Sequence, residues 1–326
     1  MACSLWLMAC KKDRAQIDPD LLTTPQQVYP VNFNVSGFTQ HNGPIKTAGL
    51  KQESVAYPPS VMSKIMYTVF DNTGKQVSRL EQNLYETNKL YRISGTTRKL
   101  ISSNSPFGSI NDSLAVGHYT VVVTCGTGYN SLNVPQEMTG GGGFKDIYTL
   151  EPLSNAKYYV APHLIYEDCF YYKGDLEVGI NNTPKPIALN RIVGQLTFNM
   201  EDVMPANVDQ LIFEIKGDNA YYNISNNTAT GAQDEGTRGY SITPDEIGKA
   251  NYNISWMVLN TKTPLEIVVY AMDSQYKVIT TKTITNVRVN LNEKTTVTGK
   301  LFTNNPSGFN VVTNQAWGNN PVIVKF

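Results

Sequence analysis

Histidine is nearly missing from this chain. Its three copies, His41, His118 and His163, lie far apart, and none stands in a spacing that would put two metal ligands on one face. Cysteine is scarce too: Cys3, Cys10, Cys125 and Cys169 include no Cys-x-x-Cys pair, which argues against a zinc site or a dithiol redox motif. Charged residues make up only 17%, with 27 basic against 27 acidic side chains, so no field of one sign is present to draw nucleic acid as a partner. An apolar run of about 20 residues, the length a membrane-crossing helix needs, is absent. Helical periodicity is hard to find; Pro244 to Ala250, with Thr243 as cap, is the best candidate for a short helix.

Catalytic constellations are equally thin. An extended segment would turn His163 and Cys169 to one face, but six residues of strand separate them by roughly 20 Å, too far for a nucleophile and its base. Glu201-Asp202 and Asp234-Glu235 are neighbours in turns and face apart, unlike the opposed carboxylates of a glycosidase. Asp202, Asp209 and Asp218 lack the repeating oxygen-ligand spacing of a calcium loop. These residues predict no enzyme, no metal and no cofactor.

What is present is alternation. Hydrophobic residues reach 41%, and they fall in short β-branched and aromatic runs with period two. Val31, Phe33 and Val35 share one face of a strand. Ile65 to Phe70 runs into Asp71-Asn72-Thr73-Gly74-Lys75, a hairpin turn in which Gly74 is free to take positive φ. Tyr119 to Cys125 is a further strand, and Tyr158 to Val160 and Phe170 to Tyr172 are aromatic strands expected to close a first domain. Gly140 to Gly143 lacks the Gly-Lys-Ser/Thr that a phosphate loop requires. The polar, two-proline stretch Asn181 to Pro186 reads as an interior linker. Beyond it, strands are expected at Ile187 to Met200, Leu211 to Ile215, Ile254 to Leu259, Leu265 to Ala271, Val278 to Leu291 and Thr295 to Phe302, with Asp273-Ser274-Gln275 as a second Asp-containing turn. The chain thus divides into a leader and tether over 1–30 and β domains over 31–182 and 183–326. Cys125 and Cys169 are either two buried thiols or a disulfide. The 19 tyrosines either fill half-buried strand positions or stack on sugars, which would make a glycan-binding lipoprotein.

The first residues read as an address. Ala2 to Ala9 is apolar, and Leu7-Met8-Ala9-Cys10 resembles the lipobox of bacterial lipoproteins, which makes Cys10 the expected lipid acceptor. Lys11, Lys12 and Asp13 then resemble the charged tether of Bacteroidetes lipoproteins displayed outside the outer membrane, and three prolines follow before residue 31.

Three segments carry a more specific resemblance. Ala188-Leu189-Asn190-Arg191-Ile192-Val193-Gly194-Gln195-Leu196, the strand pair over Asn286 to Phe302, and Met66 to Gly74 are similar to the Bacteroidales fimbrillin superfamily, including its anchor and accessory lipoproteins. The resemblance implies two tandem transthyretin-like β-sandwich domains and a place on the cell outer membrane or in a fimbrium. It also implies other fimbrial subunits as partners through strand exchange, with cell adhesion to a host or bacterial surface ligand. Strand exchange has a plain physical basis: an incomplete sandwich exposes unpaired N–H and C=O groups beside an apolar groove, and a neighbour's extended strand satisfies both. Val322-Ile323-Val324-Lys325-Phe326 is the candidate assembly strand, with Val322, Val324 and Phe326 on one face. It could equally close its own domain.

Overall fold

In the computed structural model the alternating runs form strands throughout. The structure describes residues 27–36, 64–83, 86, 88–94, 97–126, 153, 157–159, 169–232, 237–303 and 309–314, and among these there is no helix. The first part of the chain supplies β1 (Val28–Ser36), β2 (Lys64–Asp71), β3 (Gln76–Asn83), β4 (Leu90–Ser94), β5 (Thr97–Ser102), β6 (Ser109–Ala115) and β7 (Gly117–Gly126). There follow β8 (Lys157–Tyr159), β9 (Cys169–Val178), β10 (Lys185–Ala188), β11 (Asn190–Arg191), β12 (Gly194–Met200), β13 (Gln210–Lys216) and β14 (Asn219–Asn223). The remainder gives β15 (Thr228–Ala232), β16 (Thr237–Ser241), β17 (Tyr252–Val258), β18 (Leu265–Met272), β19 (Val278–Val287), β20 (Lys294–Gly299) and β21 (Asn310–Asn314).

The architecture is all-β, with four sheets stacked in two pairs and a fifth, three-stranded one of order β15-β14-β8. A three-stranded sheet, β10-β1-β6, faces a seven-stranded one, β11-β9-β7-β2-β3-β4-β5. Between them lies a core that includes Val31, Phe33, Tyr67, Leu80, Val123 and Ile187. The second pair, β17-β12-β20-β21 and β16-β13-β18-β19, encloses Phe198, Phe213 and Trp256, whose rings lie 4.3–5.5 Å apart. Strict alternation explains these choices. On β1, Val31, Phe33 and Val35 are buried while Asn32 and Asn34 are exposed, so a shift of one residue would turn the apolar set to water.

Two turns repeat one design. Asp71 receives backbone N–H bonds from Thr73 and Lys75 on its Oδ1, and Asp273 receives them from Gln275 and Lys277. In both, the aspartate N–H donates to the lysine carbonyl four residues on. The fourth residue takes positive φ in each case, +80° at Gly74 but +61° at Tyr276. Glycine meets that demand without steric cost, whereas a tyrosine in the left-handed region is strained. Tyr276→Gly is therefore expected to stabilise the protein by about 0.5–1 kcal/mol, read as a higher urea midpoint with unchanged slope.

Several expectations meet a different outcome. Residues 244–248 form a turn, not a helix. Thr243 N–H does donate to Glu246 Oε2 as a helix cap would, but Glu246 is also drawn inward by the Tyr240 hydroxyl, and Gly248 reverses the chain at φ +78°. The expected linker leads directly into β10, which runs parallel to β1 from Phe33↔Lys185 to Ser36↔Ala188. Pro186 is tolerated there because β10 is the edge of its sheet. β11 pairs with β9, so the chain passes to the second core only at Ile192 and Val193. Phe170 to Tyr172 sit in β9 beside β7, but Tyr158 and Tyr159 pair with Tyr222 and Tyr221 of β14, on the far side of that crossing. Gly140 to Gly143 lie outside the described residues.

Candidate functional site

Strand edges are the first candidate for contact with other molecules. β5, β19 and β21 each end a sheet among the described residues, so each presents one row of main-chain donors and acceptors. β5 is anchored from behind. Arg98 donates to Glu81 and Glu86 and lies 3.5 Å over the Tyr91 ring. Leu100 and Ile101 on the same strand are 46% and 39% exposed. β19 spans ten residues and carries exposed Val278 and Ile279 next to Tyr276, which is 76% exposed. Lys282 stands near its middle, the kind of charge that discourages indiscriminate edge pairing. β21 pairs with β20 from Lys294↔Asn314 to Thr298↔Asn310. The chain leaves β20 under firm hold, because the Asp202 carboxylate accepts the N–H groups of Leu301, Phe302 and Thr303.

The seam between the two sheet pairs is the second candidate. Sequence reasoning missed it, since its parts are scattered from Phe70 to Leu259 and the stretch 219–232 shows no clear apolar alternation. Phe70, Val122, Cys169 and Tyr171 face outward from the seven-stranded sheet and pack with Ile224 and Leu259. Burial pushes the Tyr171 hydroxyl well above the usual tyrosine range. The Lys173 ammonium donates to the carbonyls of Ile224 and Ser225 at 3.1 and 2.9 Å.

The sequence-predicted site residues divide cleanly. Cys10 and Val322, Ile323, Val324, Lys325 and Phe326 lie outside the described residues, as do His41 and His163. Cys125 and Cys169 are buried thiols and not a disulfide. Adjacent register explains why: Cys125 pairs with Phe170 and Gly126 with Cys169, so the two thiols point to opposite faces, Cys125 into the first core and Cys169 into the seam. Asp202 and Asp218 are surrounded by backbone N–H donors, which suits a carboxylate acceptor and not a calcium ligand. Among the described residues no group of three or more histidine, cysteine or carboxylate side chains could hold a metal. Tyr67, Tyr171, Tyr240, Tyr252 and Trp256 are buried, and Tyr276 is the one aromatic among the largely exposed apolar residues described. A flat aromatic platform for sugars is not formed by the described residues.

Asp218 organises the base of the seam. Its Oδ1 accepts the N–H groups of Asn219, Leu259 and Asn260 at 2.8–2.9 Å, and its Oδ2 accepts from Arg238 at 2.8 Å. Arg238 also donates to the Met257 carbonyl. Burial draws the guanidinium below its ordinary value, with Asp218 opposing. Glu246 is governed differently. Burial pushes its carboxyl up, yet hydrogen bonds led by the Thr243 N–H outweigh that and hold it below its ordinary value.

These features define an all-β sandwich protein whose accessible chemistry is main-chain edges and apolar strand tips. The chain belongs to a family of unknown function, DUF6562, whose model matches residues 141–323. No protein of curated function matches the sequence. Among solved structures it is similar to the fimbrial anchor protein Mfa2 of Porphyromonas gingivalis, at 12% identity and TM-score 0.41 over 89% of this chain and 96% of that one. A fimbrial assembly protein of Parabacteroides distasonis is similar at 10% identity and TM-score 0.44, over 89% and 96%. A Bacteroides thetaiotaomicron protein described as polysaccharide-binding is similar at 12% identity and TM-score 0.47, over 88% and 95%.

Proposed function

We propose that this protein is a lipid-anchored fimbrial subunit, anchor or accessory adhesin on the outer membrane, working by strand exchange and adhesion instead of catalysis. The observation that carries this reading is the placement of β21. Among the described residues it is an outer strand held through one neighbour, β20, and in the sequence the alternating segment Val322 to Phe326 follows shortly after it. An extended strand leaving such an edge can add to a sheet of a second subunit, with main-chain bonds supplying affinity and alternate side chains supplying register. The lipobox-like Leu7-Met8-Ala9-Cys10 supports an acylated N-terminus as the attachment point.

Deletion of residues 318–326 tests the assembly step. The full chain is expected to give heat-labile oligomers on gels, and the deletion is expected to give monomers. Oligomers that survive the deletion, or none from the full chain, would remove the donor role. A parallel Cys10→Ala variant is expected to lose palmitate labelling and to leave the membrane fraction.

A further inference from the structure

The β14–β15 hairpin follows β13 in the second sheet pair yet lies against the first. Its turn residue Ile224 packs on the outward face of the seven-stranded sheet, against the group formed by Phe70, Val122, Cys169 and Tyr171. Three further contacts hold its tip there. Lys173 donates to the carbonyls of Ile224 and Ser225, the Tyr171 hydroxyl donates to Asn227 Oδ1 at 2.8 Å, and the Tyr171 and Tyr222 rings lie 5.1 Å apart. A strand from the earlier part of the chain, β8, joins its edge through Tyr221↔Tyr159, Tyr222↔Tyr158 and Asn223↔Lys157.

We propose that this hairpin is a strap that locks the two sheet pairs into one cooperative body. Its shape is set before it docks. Asn223 Oδ1 accepts from both the N–H and the hydroxyl of Ser225, and Asn227 takes the φ of +56° that the reversal requires. Its base is clamped by the buried Asp218–Arg238 pair, since Asp218 directly precedes β14 and Arg238 lies in β16, the next strand after β15. A strap rigid at the base and pinned at the tip cannot lift without exposing Phe70, Val122, Tyr171 and Ile224 together. Opening the seam is therefore tied to the loss of several buried apolar contacts at once, and the halves open as a unit.

The two buried thiols offer a direct test, because Cys169 lies in the seam and Cys125 in the first core. In a Cys3→Ser, Cys10→Ser background, native-state labelling with a thiol reagent is expected to modify Cys125 and Cys169 at one common slow rate. Lys173→Met, and separately Ile224→Ser, are expected to accelerate Cys169 by about tenfold or more while Cys125 stays protected. Cys169 reacting ahead of Cys125 in the unaltered protein would show that the seam already opens alone, and would overturn the proposal. Unchanged rates in both variants, or equal acceleration of both thiols, would also overturn it, the latter by showing that the hairpin adds only general stability.

Discussion

Asp218→Ala is expected to destabilise the protein by about 3–5 kcal/mol, the scale found when one partner of a buried ion pair is removed. Both side chains are almost fully buried, at 1% and 3% exposure, so water cannot replace the lost partner. The substitution leaves the Arg238 charge without its counterion and strips an acceptor from the N–H groups of Asn219, Leu259 and Asn260. The reverse change is expected to be milder. In Arg238→Met the Asp218 carboxylate keeps its three N–H donors, and the thioether fills part of the vacated volume. The double variant should accordingly be less damaged than Asp218→Ala alone, a non-additivity that a mutant cycle in urea would measure. Equal losses in the two single variants would show that the network around Asp218 does not carry the pair.

Gly194→Val is expected to cost about 3 kcal/mol or more through overpacking. A Cβ at this position would lie 2.4 Å from the Asn290 carbonyl oxygen and 2.5 Å from Val289 Cγ1. The Asn290 oxygen accepts the Glu293 N–H, and this turn is tied to the strand on both sides of Gly194, by Gln195 N–H to Glu293 O and by Asn292 N–H to Val193 O. It cannot move away without breaking those bonds. Gly194→Ala should show the same defect at smaller size, since Cβ itself makes the clash. Circular dichroism melts of the two variants against the parent would read the order, and an unperturbed Gly194→Val would mean the 289–293 turn is free to shift. This close approach gives a physical reason for the glycine in Arg191-Ile192-Val193-Gly194-Gln195-Leu196.

Much of the fold was legible because β structure writes itself locally. Val31, Phe33 and Val35 announce the buried face of β1, and the Asp71 to Lys75 turn is readable from its residue types alone. The same reasoning carried to the strands expected at Leu211 to Ile215, Ile254 to Leu259, where the strand ends at Val258, and Leu265 to Ala271. It failed at residues 244–248, where a helix cap pattern is present but Tyr240 and Gly248 close the segment after one turn. It found the strand at Tyr158 and Tyr159 but not its place, because the partner strand lies some sixty residues later.

The candidate site was less accessible. A sheet edge is not a property of a strand but of what stands beside it, so β5, β19 and β21 could not be singled out from their own residues. The orientation of Cys125 and Cys169 hung on a register in which each faces a neighbour of the other.

By itself the sequence determined that this chain would be built of strands, which residues of β1 would share a face, and where its aspartate turns would bend. Period-two alternation and turn chemistry act over a few residues and need no distant partner. Only the tertiary structure decided which strands became edges, that β10 and β11 stay with the first core, and that the β14–β15 hairpin crosses to cover the outer face of its neighbour. Those outcomes depend on pairing between segments far apart in the chain, where backbone hydrogen bonds are alike everywhere and only packing selects among them.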